Sequence, residues 1–232
     1  MAIGSKLAYG SAARAALAAI LFVCTVCSAP AATAFTVSSG EPIAQGAKVV
    51  VVMPDVDLGQ VTASNVRERR PDWIANVRTG LSSEVGAALE AKNHPLVTLD
   101  RDTLESGPVD AFLGLYDYVT ATMQAMDTDD ANRIVQWSVG PSGAPLAERY
   151  GADYALFISV SGSYSSSGRL LAVYTVAPLT FMRAPKAVAS LVDLRSGRII
   201  WFASEIAPNG IDLRQPAGAA KMARLLMAGA PL

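Results

Sequence analysis

Cysteine and histidine are almost absent from this chain, and their scarcity limits the chemistry that it can perform. The two cysteines, Cys24 and Cys27, lie near the N-terminus, and the single histidine is His94. If the N-terminal segment is removed on export, the rest of the chain has no disulfide, no thiol nucleophile and no cysteine metal site. His94 lies in an Asn-His-Pro sequence that ends a predicted helix, where we expect a solvated residue rather than a catalytic base.

Charged residues are also few, and they are balanced in sign. The chain has 19 lysines and arginines against 20 aspartates and glutamates, a formal net charge of −1. A basic excess of the kind that nucleic-acid binding requires is therefore missing. Apolar residues make up 51% of the chain, which is enough to fill the single core of one domain of this length.

Residues 1–34 have the three parts of a secretory signal peptide. Two basic residues precede an apolar run, Ala15 to Val26, and the small residues Ala32-Thr33-Ala34 follow it. This pattern predicts cleavage before Phe35 and a mature protein in the periplasm or outside the cell. No later apolar stretch is long enough for a membrane helix, so we expect no membrane span in the mature chain.

The alternative to a freely released protein is a lipoprotein that carries an acyl chain on a cysteine at the cleavage site. Signals of that kind place small residues directly before the acylated cysteine. Here Val23 precedes Cys24 and Val26 precedes Cys27, and valine is bulky. The sequence therefore disfavours an outer-membrane lipid anchor.

The first half of the remaining chain has the pattern of a strand–helix–strand unit. Residues 35–46 are rich in serine and glycine and predict a flexible leader. The run Lys48 to Met53 contains four consecutive valines, typical of a strand buried on both faces. A polar loop is expected over 55–70, an amphipathic helix over 71–92 and a second strand over 95–99. This order predicts parallel pairing of the two strands.

The second half predicts an antiparallel meander. A helix is expected over 108–126, with Leu115 among its inward-facing residues, and another over 214–228. The fold prediction is a single α/β domain over 47–232, with a mixed sheet of five or six strands and helices packed mainly on one face. Four strand-like runs with turn residues between them form the predicted meander: 153–164, 169–176, 187–194 and 198–204.

Three short sequences occur in an order that resembles a family. They are Gly-Ala-Asp-Tyr-Ala-Leu-Phe from Gly151, Val-Asp-Leu-Arg-Ser-Gly from Val192, and Trp201 in the closing hairpin. The order resembles the curli-secretion lipoprotein (CsgG-like) group and the similar N-terminal domain of the Tol propeller protein, and also an uncharacterised branch of secreted proteobacterial proteins. The resemblance implies an envelope location, protein–protein contacts and no cofactor. The long inserted strands of the pore-forming members have no counterpart here, so a secretion pore is not expected.

These features favour a non-enzymatic accessory or assembly protein of the bacterial envelope, with envelope proteins or further copies of this chain as partners. A small-ligand periplasmic binding protein is one alternative.

The other alternative is a metal-dependent hydrolase built on an aspartate cluster. Asp55 and Asp57 follow the first strand, and Asp100 and Asp102 follow the second, so all four would lie near one sheet edge, where oxygen ligands can hold Mg²⁺ or Ca²⁺. Ordinary turn and capping roles explain the same residues, and we expect no metal site.

Two further charged clusters predict no binding site. Asp127 to Asn132 begins like a calcium loop but has asparagine where that loop requires glycine. Arg67, Arg69 and Arg70 are interrupted by Glu68, and we interpret them as a solvated loop.

The candidate partner-contact residues are Leu179, Phe181 and Met182. They lie in a predicted hairpin loop between Pro178 and Pro185, where polar residues are usual. An exposed apolar loop of this kind marks a contact site. The alternative is that Leu179 and Phe181 fold back over the domain's own core.

Overall fold

The structure is a computed structural model. Residues 1–33 of the predicted signal peptide, Asp127 to Asn132 and the candidate contact residues Leu179, Phe181 and Met182 lie outside the described residues. The ranges that the structure describes are 34–38, 41–104, 108–125, 137–176 and 184–232.

The described strands form one mixed sheet of eight strands, more than the five or six expected. They are β1 Phe35–Ser38, β2 Val49–Val52, β3 Asp55–Val61, β4 Arg67–Arg69, β5 Leu96–Leu99, β6 Tyr154–Ser165, β7 Lys186–Asp193 and β8 Ile199–Ile206. The main order of the sheet is β1-β8-β7-β6-β2-β5, and β3 continues along β6 and pairs with β4. β2 is parallel to β5 and β6, whereas β7, β8 and β1 add antiparallel strands beyond β6. The predicted mixed α/β domain is therefore confirmed.

Helices connect and cover these strands. The long first helix agrees with its predicted range, and its stripe of apolar residues is buried. Gly80 lies in that stripe, where the last helix approaches α1 closely. A Cβ at this position would lie 2.6 Å from the carbonyl oxygen of Pro216, so only glycine permits the approach. The helices are α1 Pro71–Ala91, α2 Arg101–Leu104, α3 Pro108–Ala125, α4 Ala144–Tyr150, α5 Ser167–Val176 and α6 Pro216–Met227, with a 3-10 turn at Gly140–Gly143.

The four valines of β2 explain why helices lie on both faces of the sheet. Val49 and Val51 pack in a core cluster with α1 and α6. Val50 and Val52 point to the opposite face and pack with α3 and α4. We expected helices mainly on one face, but a strand that is apolar on both sides needs cover on both.

The predicted second meander strand, 169–176, is wrong, because this segment is helical and belongs to α5. The Ser166 side chain accepts a hydrogen bond from the backbone N–H of Arg169 at 3.1 Å, which caps the helix start. β6 instead pairs directly with β7, from Tyr154 opposite Asp193 to Ser161 opposite Lys186. The helix start signal at Ser166 therefore outweighs the β-branched residues that suggested a strand.

Two segments that were expected to be irregular contain strands. The predicted leader contains β1, in which Phe35 lies opposite Ser204 of β8 and its ring packs 5.5 Å from that of Phe202. The predicted loop over 55–70 is a hairpin of β3 and β4. Its apolar residues Val56 and Leu58 alternate with aspartates and are completely buried, which is the pattern of a strand with one covered face.

Candidate functional site

β2 and β3 are two parts of one strand, interrupted by a bulge. Val51 lies opposite Leu156 of β6, and pairing resumes with Asp55 opposite Ser159. Three residues of this strand, 52–54, therefore lie opposite two residues of β6. Pro54 is among the three, and it has no N–H for the ladder. Bulges of this kind re-aim the side chains that follow them and are frequent next to functional sites.

The extra residue reverses which side chains face which side of the sheet. Before the bulge, Val51 faces the cluster of α1 and α6, and after it Val56 and Leu58 face the same cluster. Without an extra residue, alternation would have turned Val56 and Leu58 to the α3 side. Asp55 and Asp57 point to the α3 side instead, so the bulge decides where both carboxylates lie.

Asp55 lines a cavity of about 170 Å³ beneath α3. Met53 and Asp55 contribute from the bulge, Thr120 and Gln124 from α3, and Ser159 from β6. The cavity lies at the carboxyl ends of the parallel strands β2 and β5, and β2 has β5 on one side and β6 on the other. In open α/β sheets this is the position at which ligands bind.

The charges around this cavity do not cancel. Arg101 and Asp117 form an ion pair in its wall. Asp55 makes no ion pair and no side-chain hydrogen bond to any residue that the structure describes. Among the described lining residues, two carboxylates and one guanidinium thus leave the cavity with a negative charge.

Tyr116 forms a rigid part of the cavity wall. Its hydroxyl lies 2.7 Å from the hydroxyl of Ser190 on β7, and both groups are buried. The ring stacks on Phe157 with 4.0 Å between centroids. Burial raises the pKa of Tyr116 well above its usual range, although the hydrogen bond to Ser190 opposes that rise. Tyr116 therefore stays neutral at physiological pH and positions its neighbours through packing and one hydrogen bond.

Of the four aspartates in the predicted cluster, Asp55 is the one found among the described residues that line the cavity. β2 and β5 are parallel neighbours, as predicted. Asp55 lines the cavity, but Asp57 is held by Arg67, whose Nη2 lies 3.0 Å from the Asp57 Oδ1, and the Asp102 side chain is outside the description. In the described part of the chain, no three His, Cys, Asp or Glu side chains are grouped so that they could hold a metal ion.

The prediction of a solvated His94 is wrong, because its side chain is only 4% exposed. Its Nδ1 lies 3.1 Å from the carbonyl oxygen of Ala47, and its backbone N–H donates to Leu89 at the end of α1. Asn93, with a φ of 59°, turns the chain so that His94 points inward. His94 thus ties the end of α1 to the segment before β2, which is a structural role.

The arginine cluster lies on β4 and directly before α1 rather than in a loop, but Arg67 and Arg69 are exposed to solvent, as expected. Arg67 is engaged by Asp57. Arg70 pairs with Asp72 at 2.7 Å and lies 4.3 Å above the ring of Trp73. The hydrogen bond from Arg70 lowers the pKa of Asp72. The guanidinium groups of Arg67 and Arg70 are therefore engaged within the domain, which explains their positions without a ligand.

The outward side of α3 carries two of the five large apolar residues that are exposed in the described chain. Leu115 is 46% exposed and Tyr118 is 74% exposed, so the expectation that Leu115 faces the core is wrong. Phe112 and Met123, on the opposite side of α3, are buried and hold the helix against the sheet. Because α3 has apolar residues on two sides, the sequence did not show which side of the helix faces the sheet. The α3 outer face consists of Ala111, Gly114, Leu115, Tyr118 and Ala125, and α3 contains no lysine or arginine.

Comparison with known proteins gives a partial likeness of fold. No protein-family model and no curated protein matches the chain. A PelC dodecamer from Paraburkholderia phytofirmans is similar at 13% identity and a TM-score of 0.40, over 84% of this chain and 94% of that one. Lipoprotein GNA1162 from Neisseria meningitidis is similar at 18% identity and a TM-score of 0.32, over 68% of this chain and 80% of that one. The LpoB C-terminal domain from Salmonella enterica is similar at 15% identity and a TM-score of 0.29, over 72% of this chain and 85% of that one.

These similar structures all come from bacteria, and one of them is described as a lipoprotein. Their TM-scores are too low for any statement about the function of this chain. Across the described ranges, no helix has the length and apolar character needed to cross a membrane.

Proposed function

We propose that this chain is an exported, non-enzymatic accessory or assembly protein of the bacterial envelope, which acts through protein–protein contacts. The α3 outer face is the observation that carries this proposal. Exposed apolar residues that form a contiguous patch on a polar surface mark contact sites. Leu115 and Tyr118 form such a patch, and small residues surround them on the same helix.

The chemistry of this face favours a protein partner. Tyrosine is enriched in the cores of protein interfaces, because it buries a large ring and still offers a hydroxyl. The small residues Ala111 and Gly114 allow a partner's backbone to approach α3 closely. The charged residues of α3 are acidic only, Asp110 and Asp117. Asp117 is paired with Arg101, so Asp110 is the charge that favours a partner surface with basic as well as apolar groups.

The envelope location rests on the N-terminal segment and on the CsgG-like resemblance. Residues 1–34 combine positive charge, an apolar run and a small-residue cleavage site, which is the arrangement that directs export. Membership of the CsgG-like group is part of the same proposal. Leu179, Phe181 and Met182 remain a second candidate contact, and the same kind of partner would serve both.

Site-specific crosslinking in the native cells tests this proposal. A photoreactive phenylalanine analogue at position 118 should form a covalent product with an envelope protein. The same analogue at Lys221, an exposed residue on α6, should form none. Leu115→Glu should abolish the product at position 118 at an unchanged melting temperature, because exposed substitutions shift stability by less than about 0.5 kcal/mol.

Leu225→Glu is the matched control. Leu225 is another exposed leucine, 44% exposed, on a helix that packs against the opposite face of the sheet. Leu225→Glu should leave the crosslinked product at position 118 unchanged. Equal products at positions 118 and 221, or a partner that resides in the cytoplasm, would contradict the proposal.

A further inference from the structure

We propose that the cavity beneath α3 binds a small organic cation, an ammonium or guanidinium group on a short carbon chain, with Asp55 as its counter-ion. The inference goes beyond the proposed contact function and does not depend on the α3 outer face. It rests on one juxtaposition: the bulge turns Asp55, whose carboxylate has no partner among the described residues, into a cavity whose described lining is negatively charged, at the sheet position where α/β folds bind ligands.

The charges in the cavity wall select a cation. Asp117 is already neutralised by Arg101, whereas Asp55 has no partner in the described chain. An ammonium or guanidinium group would form a charge-assisted hydrogen bond with Asp55, the strong type of hydrogen bond. Ser159 and Gln124 add oxygen atoms that accept hydrogen bonds from the remaining N–H groups.

The size and the walls of the cavity favour an organic ligand. Its volume of about 170 Å³ is close to the ~150 Å³ of a protein cavity that holds benzene. Met53, Phe157 and Val188 provide apolar wall, against which a short carbon chain packs. A bare metal ion would need several more oxygen ligands than Asp55 alone provides.

An anionic ligand does not suit this cavity. It would lie beside Asp55 and Asp117, and the guanidinium of Arg101 is already engaged. Asp55 is exposed to solvent, so a cation can exchange with solvent without unfolding of the domain.

Met53 provides a direct probe, because its methyl group belongs to a residue that lines the cavity. The processed protein is purified from its own cells grown with methyl-¹³C methionine and titrated with butylamine, with butanol as the neutral control. The methyl resonance of Met53, assigned with Met53→Leu, should shift saturably with butylamine. The resonance of Met222, buried in the core on the opposite face, should not move.

Substitutions at two neighbouring aspartates separate the site from general electrostatics. Asp55→Asn should weaken butylamine binding at least tenfold and leave the Met222 resonance unchanged. Asp57→Asn, which removes the carboxylate engaged by Arg67, should leave the affinity within about twofold. The proposal is overturned if Met53 does not respond, if butanol binds as well as butylamine, or if Asp55→Asn binds like the wild-type protein.

Two probes distinguish the sources of such a cation. Butylamine represents a free small amine, and N-acetyl-lysine amide represents a lysine side chain presented by a partner protein. Tighter binding of the lysine derivative assigns the cavity to a partner's side chain, and tighter binding of butylamine assigns it to a free amine. Both results support the cation site, and absence of binding by both overturns it, whatever the crosslinking at Tyr118 shows.

Discussion

Replacing Gly197 by alanine should unfold the domain or lower its free energy of unfolding by more than about 4 kcal/mol. Gly197 has a φ of +71°, and a Cβ there would lie 1.7 Å from the carbonyl oxygen of Gly140. The contact is with backbone, which cannot rotate away as a side chain can. Gly197 also accepts a hydrogen bond from the backbone N–H of Val139 at 2.9 Å, so any shift would disturb the turn between β7 and β8.

Gly151→Ala is the matched control for backbone conformation without the clash. Gly151 has a φ of +58° at the end of α4, and a Cβ there would meet nothing within 4 Å. Gly151→Ala should therefore lower the free energy of unfolding only by the cost of the left-handed backbone conformation, about 1–2 kcal/mol. Denaturant unfolding of the two variants compares these costs directly. Similar losses in both would mean that Gly140 does not approach Gly197 as closely as described.

Val56→Asp should destabilise the domain by about 3–5 kcal/mol, because it leaves a buried charge without a partner. Val56 is completely buried in the cluster of α1 and α6. Asp57→Val, one residue further along β3, should change the free energy of unfolding by less than about 1 kcal/mol, since it removes only an exposed ion pair with Arg67.

This pair of variants tests the bulge between β2 and β3. In a polar loop over 55–70, both substitutions would be tolerated, because neither side chain would be buried. If β3 continued β2 without the extra residue, Asp57 would be the buried position and the order of the two effects would reverse. Equilibrium unfolding in urea, monitored by tryptophan fluorescence, distinguishes the three arrangements.

Elements with a strong local pattern could be predicted from the sequence. The four valines of β2 and the apolar stripe of α1 each indicate an element and its buried surface, and parallel pairing of β2 with β5 followed from their order. The turn residues expected between the last two meander strands agree with the turn at Gly197, which has a positive φ that glycine tolerates.

The remaining features depend on tertiary contacts that no short segment contains. The bulge at 52–54 exists only relative to β6, so alternation along β3 alone could not show which side Asp55 would face. α3 has apolar residues on two sides, and only its packing against the sheet decides that Phe112 is buried while Leu115 is exposed. The cavity combines side chains from the bulge, α3 and β6, and only Asp55 among them had been singled out.

Export is the claim on which the proposed function depends most directly. Cleavage before Phe35 would leave β1 intact, and the Phe35 ring would still pack on Phe202. The most direct test is the intact mass of the protein purified from the envelope fraction of its own cells. We expect the mass of a chain that begins at Phe35 and carries no acyl group. A mass that includes residues 1–34, or an acylated Cys24 or Cys27, would contradict a released envelope protein.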